Sequence, residues 1–243
     1  MVTIHCKDIR FEDIRAVLWD KDGTLADSHP FLKKLAEDRS RHLDTYVPGI
    51  YSKLMSAFGC QNDTYNPAGL MAVGTRYDNE IAAAAYVAAT GECWTKSLQL
   101  AKTAFAESDR GFSRKASLTP PFNGIVTLLE SMHAKGLKLA ILSGDSTANI
   151  QDFVDCYGLG SVIDWCAGSE QPPIKPDPQM LWQACKELQV PPEKSLVLGD
   201  SVLDYQLARQ GKARDFVGVT WGGNAAIAEA DVNLESPTQL HIE

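Results

Sequence analysis

The stretch Ala16-Val17-Leu18-Trp19-Asp20-Lys21-Asp22-Gly23-Thr24-Leu25 decides how the rest of the chain is read. Four apolar residues, entered from Arg15, stop at a carboxylate. A second carboxylate follows two positions later, and a glycine then turns the chain away. A short apolar run closed by a Gly turn has the pattern of a strand buried on both faces. Open α/β sheets bind their ligands just beyond the carboxyl ends of such strands. Asp20 and Asp22 stand at that place, although an Asx turn capping the strand has the same composition.

Outward from this strand the chain has two textures. From Phe122 onward, short apolar runs alternate with helical stretches. Strands are predicted at Leu137–Leu142, Val162–Trp165, Ser195–Leu198, Phe216–Thr220 and Asp231–Leu234. Helices are predicted at Val126–Ala134, Asn149–Tyr157, Asp177–Leu188 and Val202–Gln210. Strands alternating with crossover helices give a Rossmann-like α/β core, a parallel sheet with helices on both faces. Between Phe31 and Leu118 the strand-like runs vanish. Helical spacing is predicted over Phe31–Leu43, Ile50–Phe58, Ile81–Ala89 and Trp94–Phe105, with Gly59–Gly74, including Asn62 and Asp63, as a loop. Thr119-Pro120-Pro121 closes this block as a stiff hinge. The expected domains are therefore 1–28 with 120–243 as the α/β core, and 29–119 as a helical insertion after the first strand.

Composition excludes several classes. The chain has 243 residues, 44% hydrophobic and 22% charged, enough for a full core. A net charge of −8 argues against a nucleic-acid or anionic-membrane surface, both of which select basic patches. The six cysteines are scattered, with no C-x-x-C pair, which suits reduced thiols rather than a disulfide scaffold or a zinc site. Met1 to Arg10 lacks the apolar core of a signal peptide, and Ile81–Ala89 is far too short to span a bilayer. A cytoplasmic protein is expected.

Polar residues recur where apolar runs end. After Leu139-Ala140-Ile141-Leu142 comes Ser143-Gly144-Asp145-Ser146, and after Leu196-Val197-Leu198 comes Gly199-Asp200-Ser201, with Asp204 one helical turn beyond Asp200. Between them stands Lys175, held extended by the proline that follows it. Each has a plain reading too. Lys175-Pro176-Asp177-Pro178 is a turn composition, Ser143 or Asp145 suits a helix N-cap, and Asp204 suits an ion pair with Lys or Arg. Asp27 and Ser28 read as turn and cap residues, and His29, Arg76 and Tyr77 as a solvated helix face.

Taken together and in order, these stretches resemble the haloacid dehalogenase-like superfamily of phosphotransferases. Its first motif is matched by Asp20-Lys21-Asp22-Gly23-Thr24 and its second by Ser143. The third is matched by Lys175 and the fourth by Gly199-Asp200-Ser201-Val202-Leu203-Asp204. The resemblance spans about residues 12 to 235, and Val217-Gly218-Val219-Thr220-Trp221-Gly222 with Ala230-Asp231-Val232 is similar to the phosphoglycolate phosphatase-like branch. It implies a HAD-like core with a C1-type helical cap, and a phosphatase acting on a small phosphorylated metabolite. It also implies Mg²⁺ held by Asp20, Asp200 and the backbone carbonyl of Asp22, with Asp204 in the same metal shell. Asp20 is then the nucleophile that forms an aspartyl-phosphate, and Asp22 the general acid and base. Ser143, Gly144 and Lys175 would hold phosphoryl oxygens.

The chemistry needs these residue types. A phosphomonoester repels a carboxylate nucleophile, so a hard cation and a fixed ammonium must first neutralise it. Asp22 separates the chain from dehalogenases, which lack the second carboxylate, and from phosphonate-cleaving members, which carry a small residue there. Two alternatives stay open: a sugar-phosphate mutase of the same superfamily, and a non-catalytic phosphate-binding regulator.

Overall fold

The computed structural model describes residues 2–61, 64–112 and 114–243. The chain divides into two compact units, Met1–Asp27 with Thr119–Glu243, and Ser28–Leu118.

In chain order, the first unit begins with β1 (Val2–Cys6), β2 (Ile9–Ile14) and β3 (Ala16–Trp19). The second unit then contributes α1 (His29–Tyr46), α2 (Tyr51–Ala57), β4 (Cys60–Gln61), β5 (Thr64–Tyr65) and α3 (Leu70–Val73). It continues through α4 (Arg76–Ala88), α5 (Trp94–Arg110) and α6 (Lys115–Leu118). The first unit resumes with α7 (Ile125–Ala134), β6 (Lys138–Leu142), α8 (Thr147–Cys156), β7 (Trp165–Ala167) and α9 (Pro178–Glu187). It ends with β8 (Ser195–Gly199), α10 (Val202–Gly211), β9 (Asp215–Val219), β10 (Val232–Leu234) and β11 (Leu240–Ile242).

Six strands form one sheet in the order β10-β9-β8-β3-β6-β7. Every neighbouring pair is parallel. The strand that ends in Asp20 is thus central, with Leu18 in register with Ala140 of β6 and Val197 of β8. Side chains alternate across the sheet. Ala16, Leu18, Ala140 and Leu142 join Met180, Leu181 and Ala184 of α9 and Leu207 of α10 in one buried cluster. Val17, Trp19, Leu139 and Ile141 lie on the other face and are equally buried, while α7 and α8 pack beside β6 and β7. Burying a Val or Leu fully is worth about 1.5–3 kcal/mol, so this central strand is strongly fixed in register.

The second unit has its own apolar core, built from Phe31, Leu35 and Leu43 of α1, Ala83 and Ala84 of α4, and Ala101, Ala104 and Phe105 of α5. Alanine on facing helices lets them approach closely. Thr75 and Asp78 form a reciprocal capping box at the start of α4.

Two local expectations are corrected, and one element was not anticipated. The segment Gly59–Gly74 contains the β4–β5 pair and α3 rather than only loop; Asn62 and Asp63 lie outside the described residues. The strand expected at Val162–Trp165 begins only at Trp165, because the N–H groups of Val162 and Ile163 both donate to the Leu159 carbonyl and extend a helical turn. The N-terminal residues pair in a three-stranded antiparallel sheet, β11-β1-β2, with Ile4 opposite both Ile242 and Phe11. Its signal was the alternation of Val2, Ile4 and Cys6, then Ile9 and Phe11. Among the described residues no helix is long and apolar enough to cross a membrane.

Candidate active site

The backbone sets the site first. The Asp20 N–H donates to Leu198 O at 2.8 Å, carrying the strand pairing one residue past β3. The chain then folds tightly, with the N–H groups of Leu25 and Ala26 donating to the Lys21 carbonyl at 2.9 and 2.8 Å. Gly23, at φ 86°, occupies a conformation that a side chain would strain.

Asp20, Asp200 and Asp204 each offer an oxygen within 4.8 Å of the others, and they are the one such grouping among the described residues. Asp20 is 8% exposed. Its Oδ1 accepts from Lys175 Nζ at 2.6 Å, and its Oδ2 is buried without a hydrogen-bond partner. Lys175 Nζ also donates to Asp204 Oδ1 at 2.5 Å. Asp204 Oδ2 accepts from Ser201 N and Oγ at 3.1 and 2.6 Å, so both of its oxygens are engaged. Gly199 is required here, because a Cβ would run into the Asp204 carboxylate. Asp200 is held from two directions. Thr24 Oγ1 donates to its Oδ1 at 3.3 Å, and Asn224 Nδ2 donates to its Oδ2 at 2.6 Å.

The electrostatics follow from enclosure. Burial pushes the Asp20 carboxyl up to about 6; Lys175 pulls against this and Asp204 adds to it. Burial also drives Asp200 well above the usual carboxylate range, and the charges of Asp20 and Asp204 push it further. Burial opposes the charge on Lys175, but Asp20 and Asp204 outweigh it and hold the ammonium above its ordinary range. Three carboxylates meet one ammonium, so the pocket has an excess of negative charge. An orphaned buried oxygen in an all-oxygen donor set fits a hard divalent cation such as Mg²⁺.

Asp22 is placed differently. Its Oδ1 accepts from Lys21 Nζ at 2.6 Å, and the same ammonium lies 3.1 Å from Asp145 Oδ2. Ser143 is buried, and its Oγ accepts from Asp145 N at 3.1 Å. It is not a helix cap, since Ser146 accepts from Asn149 N and caps α8. Asp145 does not cap α8 through that bond either; its Oδ1 accepts from Ser146 N and Asn149 Nδ2. Gly144 has open space where a Cβ would project, and its carbonyl accepts from Ser169 Oγ. Asp20, Lys175, Asp200 and Asp204 therefore form one cluster, while Asp22 and Ser143 are joined to each other through Lys21 and Asp145.

Of the remaining residues, Asp27 N donates to Pro120 O at 2.8 Å, and Ser28 precedes α1 without a side-chain cap bond. His29 lies against the Tyr65 ring, Arg76 pairs with Glu80 and Asp109, and Tyr77 is exposed. Sequence reading missed Lys21, Asp145 and Asn224 as parts of the site. It also missed Trp221, whose Nε1 donates to Thr24 O at 2.8 Å. The signal for Lys21 was a lysine set between an apolar run and an acidic turn.

The sequence pattern of haloacid dehalogenase-like hydrolases matches residues 14–212. The chain is a haloacid dehalogenase-like hydrolase. It is 26% identical over 226 residues to the phosphoglycolate phosphatase of Thiobacillus denitrificans, covering 92% of this chain and 90% of that protein. Its fold matches a predicted phosphoglycolate phosphatase of Haemophilus somnus, with a TM-score of 0.69 at 20% identity over 93% of this chain and 96% of that one. A Thermotoga maritima protein assigned as a β-phosphoglucomutase aligns with a TM-score of 0.59 at 18% identity, covering 92% of this chain and 95% of that one. These structural likenesses concern the fold of the hydrolase, whose site is read from its own residues.

Proposed function

We propose that this hydrolase is a Mg²⁺-dependent phosphatase that cleaves a small phosphorylated metabolite through an aspartyl-phosphate on Asp20. Its similarity to a phosphoglycolate phosphatase makes phosphoglycolate the first substrate to try. The observation that carries the reading is Asp20 itself. One oxygen is pinned by Lys175, the other is buried without a partner, and two further carboxylates stand beside it.

Asp20, Asp200 and the backbone carbonyl of Asp22 would hold the metal, which when bound neutralises phosphoryl and carboxylate charge together. Asp204 adds charge to the set while its oxygens seat Lys175 and Ser201. Lys175, Ser143 and the Gly144 N–H orient the phosphoryl oxygens. An Asp20 oxygen attacks phosphorus in line, the bond from phosphorus to the ester oxygen breaks, and Asp22 supplies the proton to the departing alkoxide. Asp22 then takes a proton from water, whose oxygen attacks phosphorus. Inorganic phosphate leaves and the Asp20 carboxylate is restored. The helical unit, residues 29–119 in the sequence reading, is proposed to act as a cap that sets substrate choice rather than the bond chemistry.

The test is phosphate release from a panel of phosphoesters with Mg²⁺, with and without chelator. Turnover that survives excess chelator, or no turnover on any ester, rejects the proposal.

A further inference from the structure

Lys21 takes no part in the reaction above, yet it is a charged side chain only 1% exposed. A buried ammonium persists only where carboxylates compensate it. Here Nζ lies 2.6 Å from Asp22 Oδ1 and 3.1 Å from Asp145 Oδ2, with the Phe153 ring centroid at 5.8 Å. Both ends of this lysine are fixed. Its carbonyl accepts from the N–H groups of Thr24, Leu25 and Ala26 at 3.3, 2.9 and 2.8 Å. At the other end, Asp145 is anchored by Ser146 N at 2.9 Å and Asn149 Nδ2 at 2.7 Å, while its own N–H donates to Ser143 Oγ at 3.1 Å.

We propose that Lys21 is a positioning residue: a buried strut, anchored on Asp145 of the 143–145 turn, that sets where the Asp22 carboxylate sits relative to Ser143. This rests on the phosphatase reading, in which Asp22 must reach the leaving oxygen while Ser143 holds the phosphoryl group. A general acid works only within hydrogen-bond reach of its target, and a displacement of about 1 Å costs on the order of a hundredfold in rate. The competing role for Lys21 is neutralisation of two partly buried carboxylates for the sake of folding alone.

Leaving groups separate the two roles. p-Nitrophenolate departs without a proton, whereas an alkoxide needs one from Asp22. Lys21→Met keeps the apolar stem beside Phe153 and removes the ammonium. Its kcat/KM for glycerol phosphate is expected to fall at least about tenfold more than its kcat/KM for p-nitrophenyl phosphate, because only the first ester depends on a placed acid. Equal falls for the two esters mean a purely structural role and overturn the proposal. Asp145→Asn keeps the shape of the turn and removes only the anchor, so it carries the test even if Lys21→Met does not fold. It is expected to shift the same ratio in the same direction by threefold or more, and an unchanged ratio overturns the strut. The wild-type enzyme on both esters is measured first. Absence of turnover on these two esters and on every other ester of the panel rejects the phosphatase reading and with it the role of Lys21, whereas an active wild type with unshifted variants rejects Lys21 alone.

Discussion

Both units of the chain bury charge, and they treat it in opposite ways. In the helical unit, Arg39 and Arg76 meet Asp109 and Glu80, two cations against two anions, and the Arg39 guanidinium lies 4.5 Å over the Phe105 ring. In the α/β unit, Lys175 faces Asp20 and Asp204 with Asp200 beside them, and Lys21 faces Asp22 and Asp145. Among the described residues, the three carboxylates Asp20, Asp200 and Asp204 gather around one ammonium group, that of Lys175. A balanced network can be complete in itself, as structural ion pairs are. An enclosed excess of carboxylate raises its own pKa values, and a bound cation is one way in which the excess is offset. The contrast supports taking one charged cluster as scaffolding and the other as the proposed site for a cation and a phosphate.

The largest expected effect breaks the unbalanced side. Asp20→Asn keeps the side chain's size and removes both the nucleophile and a costly buried charge. Turnover is expected to fall by roughly 10⁴-fold or more, as for loss of other covalent nucleophiles, while the thermal midpoint holds or rises. A variant that keeps a few per cent of the wild-type rate removes Asp20 from the role of nucleophile. The balanced side predicts the reverse. Arg39→Met should lose about 1–3 kcal/mol in urea unfolding, because it removes one of the arginines that pair with Asp109, leaving Arg76 against both Asp109 and Glu80, and takes away the guanidinium over Phe105. Its kcat/KM should stay within about threefold of wild type. A large kcat loss with unchanged stability would dissolve the distinction between the two clusters.

How much of this was legible in the sequence depends on whether the information is local. β3, β6 and β8 could be read because their apolar runs are unbroken and each ends at a polar turn. The helix from Trp94 runs on to Arg110, five residues beyond the predicted Phe105, because a charged last turn carries no apolar spacing to show it. Of the three-stranded sheet, the β1–β2 pair had a local signal in its alternation, whereas β11 escaped since it lies more than 220 residues from its partner, as the Ile4–Ile242 register shows. In the candidate site, Asp20, Asp22, Ser143 and Asp200 could be named from their places at strand ends, and Asp204, one helical turn past Asp200, and Lys175, in the loop held by Pro176, from the family resemblance. Lys21–Asp145 and Asn224–Asp200 could not, since these pairs exist only through the fold.

Asn224 gives a prediction of intermediate size. Its Nδ2 fixes one oxygen of Asp200, and partners of this kind are worth about 10–100-fold in metal affinity. Asn224→Ala is expected to weaken Mg²⁺ binding by that factor, read by calorimetry without substrate. An unchanged affinity would show that Thr24 alone suffices to orient Asp200, or that Asp200 is not a ligand.

The smallest effect contrasts enclosed thiols with an exposed one. Burial pushes Cys6 up to about 12 and Cys185 up to about 11, both in the α/β unit. Cys93, at the start of α5 in the helical unit, is exposed. The thiolate is the reactive form, and raising a thiol's pKa removes it. At pH 8 a group titrating near 12 is ionised in roughly one molecule in ten thousand. Enclosure adds to this, because a reagent reaches Cys6 in β1 or Cys185 in α9 only when the α/β unit opens. Timed alkylation followed by peptide mapping should therefore modify Cys93 first, and Cys6 and Cys185 only on a timescale set by unfolding. Raising the pH within the folded range should leave Cys6 and Cys185 governed by opening. Adding Mg²⁺ sharpens the contrast. An ion that binds only the folded α/β unit should slow labelling of Cys6 and Cys185 by stabilising that unit, and leave Cys93 unchanged. Equal early labelling of all three would mean that the α/β unit opens as readily as an exposed helix end. The tight burial on which the charge contrast depends would then be lost with it.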